Sequence, residues 1–333
     1  MQEITRTLGV VAIGRNEGER LVRCLRSVLA ADTAVVYVDS GSTDGSAAAA
    51  RALGAVVVEL DMSVAFTAAR ARNTGFQQLL ELHPAIEFVQ FVDGDCEVQP
   101  SWLSQGRAAL EARSELAVVC GRRRERFPNA SVYNNLCDME WNTPVGDAQA
   151  CGGDALIRTK AFREVGGYNP GLIAGEEPEM CLRLRRAGWH VLRMDAEMTL
   201  HDAAMSRFSQ WWRRAVRAGH AYAEGADLHR GSGDRFWIRE VRSNWFWGLV
   251  LPLIALVFAV PTRGWSVAIW IVAMLDLIRR IRRGKIASGY TSQDAGRYAF
   301  LTALGKIAQA VGQLRYWFGR STGRRSRLIE YKK

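Results

Sequence analysis

From residue 8 to about residue 125, short runs of aliphatic and β-branched residues alternate with segments whose apolar positions recur every three or four residues. The first pattern reads as buried strands and the second as covering helices, which together predict a mostly parallel sheet of the α/β class. The expected strands are Gly9 to Ile13, Ala34 to Asp39, Ala55 to Leu60, Glu87 to Asp93 and Leu116 to Cys120. A helix is expected from about Glu17 to Ala31, where Leu21, Leu25, Val28 and Leu29 fall at helical spacing. Others are expected from Thr43 to Leu53 and from Phe66 to Leu82. Residues 126–230 are more mixed, with helical stretches near Pro178 to Ala187 and Phe208 to Ala223.

The pattern changes after Arg242. Ser243 to Thr262 carries no charge and is rich in Trp, Leu, Val and Phe, and a turn at Pro261-Thr262-Arg263-Gly264 separates it from a second apolar run, Trp265 to Ile278. With arginines at both outer ends, residues 243–278 read as a hairpin that spans or re-enters a membrane from the inside; the bland alternative is a buried helical pair. Residues 297–318 place Phe300, Leu304, Ile307, Val311, Leu314 and Phe318 on one stripe. That spacing suits an interfacial helix as well as one packed on a domain. The expected organisation is a catalytic domain over 1–230, with halves 1–125 and 126–230, followed by a membrane-associated helical region over 231–333.

Composition narrows the partners. The chain has 333 residues, 48% of them hydrophobic, which is enough for one large domain and an appendage. Its net charge of +10 sits late, in Arg279, Arg280, Arg282, Arg283 and Lys285 and again in Arg320, Arg324, Arg325, Arg327, Lys332 and Lys333. Basic clusters beside apolar segments point to lipid head groups, and no nucleic-acid module signature accompanies them, so nucleic acid is not an expected partner. The 6 cysteines show no zinc spacing and read as reduced thiols. The first apolar run is too short for a signal peptide, so the expected location is the cytoplasmic face of the cell membrane.

Acids carry the candidate chemistry. Val38-Asp39-Ser40-Gly41-Ser42-Thr43-Asp44-Gly45 follows a strand and opens a helix, where α/β sheets bind ligands. Asp39 can accept hydrogen bonds from a base or ribose, while Asp44 also fits as a helix cap. In Phe88-Val89-Gln90-Phe91-Val92-Asp93-Gly94-Asp95, a buried strand ends in two hard carboxylates able to reach a divalent metal and a ribose-phosphate. Gly175-Glu176-Glu177-Pro178-Glu179 opens a helix with three acids, more than dipole compensation needs, and one of them can serve as a general base. His201 is a possible further metal ligand.

This ordered set resembles glycosyltransferase family 2, whose members have the GT-A fold, over roughly residues 8 to 225. The resemblance implies a nucleotide-sugar donor, a UDP- or GDP-sugar, contacted by Arg15, Asp39, Asp44, Asp93 and, through Ala71-Arg72-Asn73-Thr74-Gly75, Arg72. Asp93-Gly94-Asp95 matches the DxD motif, which implies Mn2+ or Mg2+ on Asp95, with His201 able to join it. Gly152-Gly153-Asp154 resembles the acceptor side, giving roles to Gly153 and Asp154. Glu177 stands at the family's base position, where Asp is usual, and Glu176 remains the alternative. The implied reaction is an inverting sugar transfer to a hydroxyl, with a saccharide or lipid-linked saccharide as acceptor. Gln210-Trp211-Trp212-Arg213-Arg214 is similar to the Gln-x-x-Arg-Trp motif of processive synthases but ends in Arg, which favours single addition. A sugar-phosphate nucleotidylyltransferase and a non-catalytic membrane scaffold are the competing readings.

Overall fold

The computed structural model describes residues 7–30 and 33–323. The chain divides into two compact units, one drawn from Met1–Phe127 and Glu140–Ala203, the other from Pro128–Met139 and Ala204–Lys333. The divide at 230 expected from composition falls earlier, because the long helix after residue 207 belongs with the C-terminal helices.

In chain order the first unit runs β1 (Leu8–Gly14), α1 (Glu19–Val28), β2 (Thr33–Asp39), α2 (Ser46–Ala52), β3 (Val56–Glu59) and α3 (Ala68–Leu82). It continues through β4 (Phe88–Asp93), β5 (Cys96–Val98), α4 (Trp102–Ala112) and β6 (Leu116–Glu125). α5 (Val132–Trp141) starts in the second unit, and the chain returns through β7 (Gly146–Asp147), β8 (Ala155–Arg158), α6 (Thr159–Glu164), α7 (Glu176–Arg186) and β9 (His190–His201). The sheet order is β3-β2-β1-β4-β8-β6-β9-β5, with β7 on β9.

β1 to β4 form the expected parallel half; the aliphatic side chains of β1, β2 and β4 are buried because helices cover both faces, while β3 is a partly exposed edge strand. The other half corrects the expectation of a mostly parallel sheet. β8 lies antiparallel between β4 and β6, and β5 antiparallel on β9, so the sheet is mixed. The reason is topological: the chain re-enters at β8 after α5 and a loop, not through a right-handed helical crossover, and is free to run backwards. α1 shows why the periodicity was readable, since Leu21, Cys24, Leu25 and Val28 are its buried stripe. All six cysteines are free thiols, five of them buried.

The second unit is helical: α8 (Phe208–Leu228), α9 (Ile238–Trp245), a π-helical turn over Phe246–Val250, α10 (Leu251–Val257), α11 (Trp265–Ala287) and α12 (Ser292–Ser321). The uncharged run 243–262 is therefore divided among α9, the π turn and α10, and α11 carries Asp276 and arginines through its second half. Among the described residues no helix is long and apolar enough to cross a membrane, which corrects the expected spanning hairpin. Of the late basic residues, Arg324, Arg325, Arg327, Lys332 and Lys333 lie outside the described residues, as does the expected helix end at Ala31.

α12 reverses the expected orientation. Its buried face is mostly small, Ala295, Ala299, Ala303, Gly305, Ala308, Ala310 and Gly312 with Leu301, Gln313 and Tyr316, whereas Phe300, Leu314 and Phe318 of the predicted stripe are exposed. The small face permits very close packing on α8: a Cβ added at Gly219 would run into the backbone of Gln309, and one at Gly312 into that of Val216. Gln210 accepts the N–H groups of Ser206 and Arg207 at 3.0 Å each, closing the start of α8. In this structure the Gln210 side chain caps a helix, the ordinary role of a polar group at a helix N-terminus.

Candidate active site

The acidic motifs at Asp39 and Asp93 lie where strands of the first unit stop, and the one at Glu176 and Glu177 opens α7. Gly94 N–H donates to the Ile13 carbonyl at 2.7 Å, which joins the Asp93-Gly94-Asp95 turn to the end of β1. At the next strand end, Asn16 joins the first two loops, its N–H donating to Ser42 Oγ at 2.9 Å and its Oδ1 accepting from Thr43 N–H at 2.7 Å. Asp39 is buried and shapes this turn: its carboxylate accepts from Tyr37 Oη at 3.0 Å and from the N–H groups of Gly41 and Ser42 at 3.1 and 2.8 Å. Asp44 is exposed and accepts Ser46 N–H at 3.0 Å at the start of α2, so the capping alternative describes its contact. Arg15 is exposed on the loop after β1.

Arg72 is the hub of the site. It enters from the second turn of α3, whose first turn is capped by Thr67 accepting Arg70 N–H at 3.1 Å. Asn73 anchors the same turn by bonding both the N–H and the carbonyl of Tyr168, at 3.0 and 2.7 Å. The guanidinium pairs with Asp93 at 2.8 Å, Glu176 at 2.9 Å and Glu177 at 3.2 Å and lies over the Tyr168 ring. Burial opposes its charge, but Asp93, Glu177 and Glu176 outweigh that and hold it firmly protonated.

The two glutamates are distinct. Glu176 is 4% exposed and committed to Arg72, whereas Glu177 keeps 16% of its side-chain surface. Burial first and the charge of Glu176 second push the Glu177 carboxyl up to about 7, against the pull of Arg72. Gly153 lies against these side-chain ends: an added Cβ would sit 2.8 Å from Arg72 Nη2, 2.9 Å from Asp93 Oδ2 and 3.2 Å from Glu177 Oε1, and would have to displace them. Glu179 pairs with Arg183 of its own helix at 2.7 Å, an ordinary stabilising role.

Asp154 lies beneath the Asp93-Gly94-Asp95 turn. It is fully buried and accepts Asp93 N–H at 3.1 Å and Thr199 Oγ1 at 2.7 Å, so it supports the acidic turn from beneath. Arg123, which sequence reasoning missed, donates to Asp93 Oδ2 and Cys96 Sγ at 3.3 Å each, pairs with Asp154 at 3.4 Å and stacks over Trp141. The signal was present in the charge run 122–126 directly after an apolar strand, because β6 continues into it.

Among the described residues, two groups of side chains have ligand atoms close enough to hold a metal ion, Asp95-Cys96-His201 and Asp93-Cys96-Asp154. Arg123 already neutralises the second. The first offers the Asp95 carboxylate 3.3 Å from His201 Nε2, a hard oxygen and an imidazole suited to a divalent ion. The structure thus brings together Arg72, Asp93, Asp95, Gly153, Asp154, Glu176, Glu177 and His201 in one connected network.

Comparison with known proteins bears on the family and the fold. Residues 10–166 match the family described as Glycosyl transferase family 2. The chain is 24% identical over 284 residues to the succinoglycan biosynthesis protein ExoA of Rhizobium meliloti (strain 1021), covering 80% of this chain and 84% of that protein. Its fold is similar to that of the mannosyltransferase PcManGT from Pyrobaculum calidifontis, solved in complex with GDP-Man and Mn2+, with a TM-score of 0.59, 17% identity and coverage of 92% and 87%. It is also similar to residues 1–349 of S. aureus TarS, with a TM-score of 0.53, 14% identity and coverage of 91% of each chain. These likenesses show an α/β fold of the GT-A type. The chain is a glycosyltransferase that carries the family 2 match over residues 10–166, a little under half of its length.

Proposed function

We propose that this enzyme transfers a sugar from a UDP- or GDP-sugar to an acceptor hydroxyl with inversion, and that Glu177 is the base. The observation that carries the reading is the bridge made by Arg72, which holds Glu177 and Asp93 on one guanidinium. Donor and base are thereby fixed relative to each other, the geometry a direct displacement requires. Asp39, Asp44 and Arg15 border the nucleoside side and Asp93 the ribose-phosphate. A divalent ion, Mn2+ or Mg2+, on Asp95 and His201 supplies positive charge for the leaving diphosphate.

Glu177 takes the acceptor proton as the hydroxyl oxygen forms its bond to the anomeric carbon and the bond from that carbon to the diphosphate oxygen breaks. No bond to the enzyme forms. Arg72 sets the position of Glu177, and Gly153 lets Arg72, Asp93 and Glu177 close up beside it. Screening nucleotide sugars for Mn2+-dependent release of nucleoside diphosphate, with Glu177→Gln beside the wild type, tests this. The variant should bind donor normally and turn over roughly 100-fold more slowly. Equal rates would refute the assignment of the base.

The second unit supports a lipid partner. Leu253, Leu256, Val257, Val260, Trp265, Ile269 and Val272 are exposed, Val260 at 87%, while the helices pack through glycine and alanine. Large apolar groups outside and small ones between helices suit hydrocarbon surroundings. The enzyme is proposed to seat this surface in the cytoplasmic leaflet of the cell membrane, with Arg279, Arg280, Arg282 and Arg283 at anionic head groups, and to act on a lipid-linked saccharide in cell-surface polysaccharide synthesis. Changing Leu256, Val260 and Trp265 to Ser should abolish sedimentation with anionic vesicles without lowering Tm, because these side chains contact little protein. Unaltered vesicle binding would remove the lipid assignment.

A further inference from the structure

Glu125 is the last residue of β6, and nothing in the proposed reaction uses it. It is 3% exposed, and both carboxylate oxygens are fixed by backbone: Oε1 accepts Phe127 N–H at 3.1 Å and Oε2 accepts Ala203 N–H at 3.0 Å. The sheet register places it beside His201, since β9 pairs Glu125↔His201 on one side and Cys96↔His201 on the other. Backbone bonds hold that register on both flanks, Arg126 N–H to the His201 carbonyl at 2.7 Å and Asp202 N–H to the Asp95 carbonyl at 3.0 Å.

The imidazole is buried, with Trp141 edge-on at 4.7 Å. Its Nδ1 lies 3.5 Å from Glu125 Oε2 and makes no hydrogen bond among the described residues, while Nε2 lies 3.3 Å from Asp95 Oδ2. A carboxylate whose oxygens are both held by N–H groups cannot swing away, so the proton of a neutral His201 belongs on Nδ1, facing Glu125. The Nε2 lone pair and the Asp95 carboxylate then face each other, two acceptors converging on one cation.

We infer that Glu125 is a positioning residue that fixes the tautomer and ring orientation of His201, and so sets the affinity of the Asp95–His201 pair for a divalent ion. The inference rests on the proposed metal site. An outer carboxylate behind a ligating histidine orients the ring and raises its basicity, and removing such a partner typically weakens metal binding about 10- to 100-fold.

The test is Mn2+ titration of the full chain, followed by EPR of the free ion, alone and with UDP or GDP. Glu125→Gln is isosteric and retains an acceptor for one backbone N–H. It should weaken Mn2+ binding about 10- to 100-fold, and the side-chain 15N shifts of His201 in the metal-free protein should show the loss of the Nδ1–H form. In a His201→Ala background the same substitution should change Mn2+ affinity no further. Equal losses in both backgrounds would make Glu125 a fold residue only and overturn the inference, as would unchanged affinity with an unchanged tautomer. Failure of the wild type to bind Mn2+ under any of these conditions would instead overturn the metal site itself, and the role of Glu125 with it.

Discussion

The elevated Glu177 carboxyl makes a quantitative demand on the pH profile. A base with a pKa of about 7 is ionised in roughly one molecule in eleven at pH 6 and in about ten of eleven at pH 8, so kcat/KM should rise about tenfold across that interval. Glu176 is one of the groups that holds the value up, by repulsion across the N-terminus of α7, so Glu176→Gln should move the limb to lower pH while Arg72 keeps Glu177 in place. The assay is initial-rate transfer between pH 5.5 and 8.5 with Mn2+ saturating at every pH, so that metal uptake does not supply a limb of its own.

Stability supplies an independent reading. The folded-state pKa lies above the ordinary value of 4.5, so the folded chain holds this proton more tightly than the unfolded chain. The contribution is complete below pH 4.5 and is lost as pH rises through about 7. At pH 8 the ionised Glu177 therefore costs up to about 3 kcal/mol, and Glu177→Gln should be more stable than wild type there and no more stable at pH 4.5. A limb that does not move in Glu176→Gln, together with a Glu177→Gln variant no more stable at pH 8, would refute the reasoning.

Two further outcomes follow from the same network. Asp95→Ala should abolish Mn2+-dependent binding of a nucleoside diphosphate, read by titration calorimetry, because the diphosphate loses the cation that offsets its charge; full affinity in a folded variant would count against Asp95 as ligand. Gly153→Ala should leave Tm within a few degrees but lower kcat/KM about 100-fold, since the new methyl displaces Arg72, Asp93 or Glu177 by a few tenths of an ångström or more.

How much of this was legible depends on how local the cause was. β1, β2 and β4 were readable because strands buried on both faces must be continuous aliphatic runs, and the edge strand β3 because its run of valines is β-branched. β9 was overlooked although His190-Val-Leu-Arg-Met-Asp-Ala-Glu-Met-Thr-Leu-His201 alternates, since charges on its open face mask the period of two. α12 shows a deeper limit. Its sequence carries a stripe of large apolar residues and a stripe of alanine and glycine, and both have helical period. Periodicity reports that two faces differ; which one is buried depends on the surroundings, and the rule that large residues go inside holds only where water is outside.

In the site, each acidic motif announced itself because it ends a strand or opens a helix, and such positions project side chains from the sheet edge. For Arg123 and Glu125 the only signal was the charge run 122–126, which does not say which of its residues face the acids. The two share a face of β6 as residues two apart, yet that face is decided by irregularities in the β6–β9 register, at Cys120/Arg122 and again at Arg122/Arg123. A shift of one residue would have turned Arg122 and Arg124 toward the acids and left His201 without its carboxylate. The motif that matches the family thus rests on a strand pairing that no spacing encodes. Substitutions that disturb the bulge, such as at Gly121, whose added Cβ would sit 2.7 Å from the Ala196 carbonyl, should weaken the site without touching any of its residues.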